Sequence, residues 1–131
     1  MTISTDCRQL VRGERPDFVQ LPYSIGVREA EKRLLPACAE HRVAVLVMRP
    51  FEGGSLFSDA RKRPLPPWAA EIDCTSWAQI FLKFILGHPA VTCPLPATSN
   101  PAHMTANVGA MRGRLPDAKE RQRMVDFVGS L

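Results

Sequence analysis

Apolar and polar positions alternate along this chain in a way that predicts strands and helices in turn. Residues 76 to 107, SWAQIFLKFILGHPAVTCPLPATSNPAHMTAN, show the pattern most plainly. Trp77, Ala78, Ile80, Phe81, Leu82, Phe84, Ile85 and Leu86 leave Gln79 and Lys83 as the only polar side chains, which predicts a helix covered on most sides and lying between layers. Gly87, His88 and Pro89 stop it. Ala90 to Leu95 is then a short apolar run bounded by prolines, the pattern of a parallel strand buried on both faces. A polar loop from Pro96 to Pro101 follows, and a helix is expected to begin near Pro101.

The same alternation runs through the rest of the chain. Thr5 or Asp6 is placed to cap a short helix through Arg12, with Gly13 as its stop. Asp17 to Leu21 reads as the first strand, and Val43 to Met48, rich in valine, as the second. Between them Val27, Ala30, Leu34, Ala37 and Cys38 recur at helical spacing as far as about His41, with Pro36 expected to bend or break that helix. Paired glycines in RPFEGGSL and a proline-rich segment, RPLPPW, separate the second strand from a short helix near Ala69 to Ile72. Thr75 or Ser76 can cap the apolar helix. The helix from Pro101 should end near Ala110, before Gly113 and Pro116. Asp117 caps a last helix to Val128, with Ala118, Met124, Val125 and Val128 on its apolar edge.

With 131 residues and 45% hydrophobic side chains, the chain can bury a core as one domain, which excludes a disordered tail. Its first residues carry charges where a secretory segment is apolar, and no stretch approaches about 18 uncharged apolar residues, so a cytoplasmic location without membrane contact is expected. Cys7, Cys38, Cys74 and Cys93 lack both C-x-x-C pairing and histidines at ligand spacing; they predict packed thiols, with no bound metal. The net charge of +4 comes from bases mixed with acids, as in residues 28 to 33, and this marks a solvated helix face and not a nucleic-acid surface. The one concentrated basic group, Arg61-Lys62-Arg63, sits beside the proline-rich turn.

Candidate chemistry lies after the strands. The loop before Pro101 offers hydroxyls and an Asn at a helix start, where free amides attract phosphate; equally, Ser99 or Asn100 is only a cap. Gly53 and Gly54 allow a tight turn or a close approach to a ligand, and Arg49 beside them suits an anion or a structural ion pair. Tyr23, the only tyrosine, stands at the C-terminal end of the first strand, the end that carries chemistry in parallel α/β proteins, though such a tyrosine also serves as a rim residue.

DFVQLPYS, the strand leading to RPFEGGSLF, and SWAQIFLKFILGHPAVTCPLPATSNPAHMTANVGA resemble, in order and spacing, the C-terminal half of the aldo/keto reductases from about Pro16 to Val128. The resemblance implies an α/β fold, a partial (β/α)8 TIM barrel made of the last three parallel strands with their helices, with residues 1–131 as the C-terminal part of that domain. It also implies hydride transfer between NADP(H) and a carbonyl or alcohol. On this reading Tyr23 matches the aromatic residue under the nicotinamide. Arg49, Pro50, Gly53, Gly54 and Leu56 match the loop along the pyrophosphate, and Thr98, Ser99, His103 and Asn107 the adenosine-phosphate end.

The departures are equally specific. Ala97 stands where the family usually has glycine or lysine, Ala106 where it often has an acid, and His103 where many members hold the 2′-phosphate with arginine. Pro94 cannot donate its ladder hydrogen bond. No residue matches the family's catalytic tyrosine, lysine, aspartate and histidine; Lys83 reads as a helix residue, and His88 as a turn residue at the opposite end of the barrel from Tyr23. The chain is therefore expected to be inactive alone. The alternatives are a non-catalytic NADP(H)-binding or scaffold module closed by a homo-oligomer, or one half of a split enzyme completed by an N-terminal half.

Overall fold

The structure, a computed structural model, describes residues 5–131, with residues 5, 6 and 8 described in backbone alone. Its centre is a parallel sheet in the order β1-β2-β3, formed by β1 (Phe18–Pro22), β2 (Ala44–Met48) and β3 (Cys93–Pro94). β1 and β2 pair along their whole length, from Phe18 opposite Ala44 to Pro22 opposite Met48. The helices are α1 (Thr5–Glu14), α2 (Leu34–His41), α3 (Phe57–Ala60), α4 (Trp77–Leu86), α5 (Pro101–Gly109) and α6 (Ala118–Gly129). This is the expected α/β fold with parallel strands joined by helical crossovers.

The local rules account for most boundaries. The Ser76 hydroxyl accepts the Gln79 N–H at 3.2 Å to start α4, and Asn100 accepts the Ala102 N–H at 2.9 Å to start α5 behind Pro101. Asp117 and Glu120 exchange bonds of 2.8 Å in a full capping box at the start of α6. Gly13, by contrast, lies inside α1, which runs on to Glu14. The cap expected from the side chain of Thr5 or Asp6 falls outside the described residues.

Two expectations need correction. The helix expected from Val27 to His41 is split into a 3-10 turn at Glu29–Glu31 and α2. The break lies upstream of Pro36, because Pro36 sits in the first turn of α2, where an N–H has no intrahelical acceptor and its absence costs nothing. The third strand, expected over Ala90 to Leu95 and buried on both faces, is a short edge element with Cys93 exposed. The Val91 N–H bonds to the His88 carbonyl at 3.1 Å and folds the approach into a turn, and Pro94 has no N–H to give. Thr92 and Leu95 N–H groups still reach the Val45 and Val47 carbonyls, at 3.0 and 2.9 Å.

Among the described residues one face of the sheet is covered far more fully than the other. Leu21, Val45 and Val47 are buried in a single cluster with Leu35 and Cys38 of α2 and Ile80, Phe81 and Phe84 of α4, while Ala44, Leu46 and Met48 on the other face are half-buried. Among the described residues no further strand encloses that second face. α4 is the sandwiched helix its composition predicts. Even Lys83 is fully buried: its ammonium donates to the carbonyls of Ile72, Arg112 and Arg114 at 2.5, 2.6 and 3.0 Å. Those carbonyls belong to the 3-10 turn Pro67–Ile72 and to the link between α5 and α6, so one side chain joins three segments.

Replacing Lys83 by Ala should therefore leave the Arg112 and Arg114 carbonyls without this donor and the Ile72 carbonyl with the weaker Cys74 thiol at 3.6 Å, and lower stability by roughly 3 kcal/mol. Urea unfolding that gives the same midpoint for Lys83→Ala and the parent chain would refute this role.

Candidate functional site

The chain leaves β2 in a conformation that most side chains avoid. Arg49 and Glu52 have φ of 53° and Gly53 and Gly54 φ of 69° and 94°, so the segment reverses sharply over a few residues. The positive φ favours glycine at Gly53, and a Cβ there would lie 3.3 Å from Nη2 of Arg49, a close contact that the guanidinium would have to yield to. The reversal is pinned from below. Glu52 accepts the Ser24 hydroxyl at 2.7 Å, and that hydroxyl accepts the Val27 N–H at 2.9 Å. Gly26 makes room for the carboxylate, because a Cβ there would stand 2.3 Å from Oε1 of Glu52.

Beside this turn opens a cleft of ≈ 780 Å³. Its walls come from the segment after β2, the Arg61 to Leu65 stretch, the first residues of α4, the loop after β3 and the inner side of α5. Strand C-terminal ends and helix starts meet here, as they do around ligands in parallel α/β proteins. Arg49, Arg61, Arg63 and His103 line it, and among the described residues no Asp or Glu does. Phe51, Phe57, Leu65, Trp77 and Leu95 give it an apolar side. The cleft therefore suits an anion carrying a flat or apolar portion.

Of the residues singled out from the sequence, Arg49, Pro50, Gly53, Gly54, Thr98, His103 and Asn107 all line the cleft. They come from the turn after β2 and, more than forty positions on, from the loop after β3 and α5, brought together by pairing of β2 with β3 and by the contact of α4 with α5. That contact is close: Gln79 Nε2 donates to the Ala106 carbonyl at 2.9 Å, and a Cβ on Gly109 would meet the same nitrogen at 2.5 Å. Leu56 and Ser99 stand outside the lining. Arg61, Arg63, Phe57 and Trp77 line it without having been assigned to it from the sequence. The only sequence signal for them was the concentration of charge in Arg61-Lys62-Arg63.

Tyr23 is elsewhere. Its ring is fully buried against Phe84, with centroids 5.9 Å apart, and its hydroxyl donates to Glu31 and accepts from Arg121 at 2.6 Å. Burial first, and then the bond to Glu31, push its phenol above the ordinary tyrosine range. Arg121 also donates from Nε to the Phe84 carbonyl at 3.0 Å, pairs with Glu31 at 3.1 Å and lies 4.5 Å over the Phe84 ring. His88, expected at the far end of the barrel, stands edge-on to Tyr23 with centroids 5.9 Å apart. The turn between His88 and Val91 holds it there in place of a longer strand.

These elements define a class: an α/β partial barrel with a cationic cleft at the C-terminal ends of its strands. The model of the aldo/keto reductase family matches residues 9–124. The chain belongs to the aldo/keto reductase family. Among solved structures, it is similar to an aldo/keto reductase from Klebsiella pneumoniae in complex with NADP and acetate, with a TM-score of 0.76 and 21% identity over 97% of this chain and 46% of that one. It is also similar to the holo form of an aldo-keto reductase from Bacillus halodurans, with a TM-score of 0.68 and 24% identity over 92% and 45%. A thermostable aldo-keto reductase bound to the inhibitor epalrestat aligns at 28% identity and a TM-score of 0.64, over 84% and 39%. The chain thus spans a little under half the length of the structures it matches. No curated protein matches it.

Around Tyr23 a pH dependence follows. Burial first, and then Arg121, lower the His88 pKa from its ordinary 6.5, and Nδ1 accepts the Ala90 N–H at 3.1 Å, a bond that protonation there removes. A histidine depressed in the folded state contributes stability that is present above its unfolded pKa and lost as pH falls below it. Thermal midpoints should therefore drop as pH falls below about 6.5, and His88→Gln should flatten that part of the profile. An unchanged slope in the variant would show that His88 is not its source.

Proposed function

We propose that this chain is the C-terminal, cofactor-holding part of an aldo/keto reductase barrel, and that it binds NADP(H) in the cleft without being a reductase by itself. The observation that supports this reading best is the lining: Arg49, Arg61, Arg63 and His103, with no carboxylate among the described residues that line the cleft. The residues present fit the group. A turn at positive φ, which favours glycine at position 53, brings backbone and guanidinium side by side, the kind of cradle that accepts phosphate oxygens. On this reading Arg49, Pro50, Gly53 and Gly54 hold the pyrophosphate, and Thr98, His103 and Asn107 the adenosine-phosphate end. Leu56 and Ser99 adjoin these loops in the chain without lining the cleft. The position in the C-terminal half rests on the order of DFVQLPYS, RPFEGGSLF and the Ser76 to Asn107 block.

When bound, NADP(H) supplies the hydride exchanged between carbonyl and alcohol. The chain's own residues bind and orient; they offer no evident proton donor for carbonyl reduction. Lys83 is occupied by three carbonyls. Stacking of Tyr23 under a nicotinamide requires its ring to leave Phe84, His88 and Arg121, which now cover it completely. A second reading is that a complementary half or a second copy of the chain completes the sheet. It is supported by Phe18, 56% exposed at the start of β1, and by the half-open second face.

Titration with NADPH should change the fluorescence of the cleft residue Trp77, and Arg49→Ala should weaken binding about tenfold by removing a charge-assisted bond. No NADPH oxidation should follow addition of aldehydes or ketones. Absence of binding at millimolar NADPH removes the cofactor reading, and turnover by the purified chain removes the claim of inactivity. Light scattering that gives a monomer would remove the second-copy version of the second reading.

A further inference from the structure

We propose that Glu52 governs the charge of the cleft through Arg49: parked on Ser24 it leaves the guanidinium to an anionic ligand, and released it pairs with Arg49 and competes with that ligand. This role rests on the reading of the cleft as an anion site and adds a control over that site. Glu52 touches no ligand, so it is a positioning residue and not a catalytic one.

Both charges sit on the turn after β2. The Glu52 N–H donates to the Arg49 carbonyl at 3.0 Å, which closes a tight turn with the two Cα atoms within about 7 Å of each other. On helix surfaces, side chains of this length pair readily across a comparable separation. Here they do not meet. Among the described residues Arg49, like Arg61 and Arg63, forms no ion pair. Arg49 lines the cleft, while Glu52, the only acid between Glu40 and Asp59, stands outside its lining.

Two features outside the cleft keep them apart. Ser24 is fully buried, and its hydroxyl gives its one proton to Oε1 of Glu52 at 2.7 Å, while the Val27 N–H, donating to that hydroxyl at 2.9 Å, fixes its direction. The three atoms nearest to a Cβ placed on Gly26, at 2.3, 3.1 and 3.1 Å, all belong to the Glu52 carboxyl group. Gly26 has no positive φ, so its backbone accepts a side chain; the carboxylate is what needs the gap. A guanidinium binds a carboxylate more strongly than a neutral hydroxyl does. Space and direction, and not the strength of the bond, therefore hold Glu52 away from Arg49. Closing the gap or removing the hydroxyl frees the carboxylate to swing within the turn.

The test is calorimetric titration with inorganic pyrophosphate and with NADP⁺ of the parent chain, of Gly26→Ala and of Gly26→Ala/Glu52→Gln, with circular dichroism to check folding. Gly26→Ala should weaken pyrophosphate binding roughly tenfold, the worth of one charge-assisted bond. The double variant should recover most of that loss, because the amide of Gln cannot neutralise Arg49; a turn that is merely distorted stays distorted whichever residue stands at position 52. If Gly26→Ala does not fold, Ser24→Ala and Ser24→Ala/Glu52→Gln carry the same comparison. Unchanged affinity in the single variant overturns the proposal, as does a loss that Glu52→Gln fails to rescue, or a parent chain that does not bind pyrophosphate. A parent that binds pyrophosphate and not NADP⁺ removes the dinucleotide reading, and the variants still decide for or against Glu52.

Discussion

Everything near the cleft depends on one buried side chain. Lys83 lies inside the most apolar helix of the chain, and its ammonium finds acceptors only because the 3-10 turn ending at Ile72 and the link after α5 both direct carbonyls at it. The requirement runs both ways. A buried ammonium without acceptors is too costly to keep, and the converging carbonyls have no other donor that reaches them from α4. This fixes the proline-rich segment on one side of α4 and α5 on another. Those are two of the cleft's walls, so the position of a lysine that touches no ligand decides how far apart they stand.

A second constraint acts from the sheet side. The reversal after β2 keeps Arg49 and Glu52 at positive φ, a conformation that side chains adopt only when the surroundings hold them. The hydroxyl of Ser24 and the missing side chain of Gly26 provide the hold by receiving the Glu52 carboxylate. The cleft is thus assembled from rigid pieces whose anchors lie outside it.

What the sequence made legible was whatever is local. Ser76, Asn100 with Pro101, and Asp117 with Glu120 mark helix starts because a capping side chain reaches only two or three residues ahead. The glycine turn and Thr98 were readable for the same reason, and order among three blocks was enough to give the family. Long-range facts were not readable. Tyr23 is covered because Arg121, 98 positions away, reaches its hydroxyl, and no periodicity encodes that meeting. Arg61 and Arg63 showed in the sequence only as a concentrated basic group beside a proline-rich turn; the indole of Trp77 holds their segment against α4. The third strand was misjudged because its apolar residues suit a sheet interior, while burial depends on a neighbour that the described residues do not provide.

The uncompensated guanidinium groups of the cleft reach beyond recognition into folding. Arginines held around one cavity repel one another, and the folded chain carries that repulsion while the extended chain does not. Any polyvalent anion that settles among them in the folded state alone shifts the folding equilibrium by mass action. The conformational stability of this chain is therefore a joint property of protein and buffer: in phosphate or sulfate the cavity is partly neutralised, in dilute chloride it is not, and the two conditions describe different thermodynamic systems.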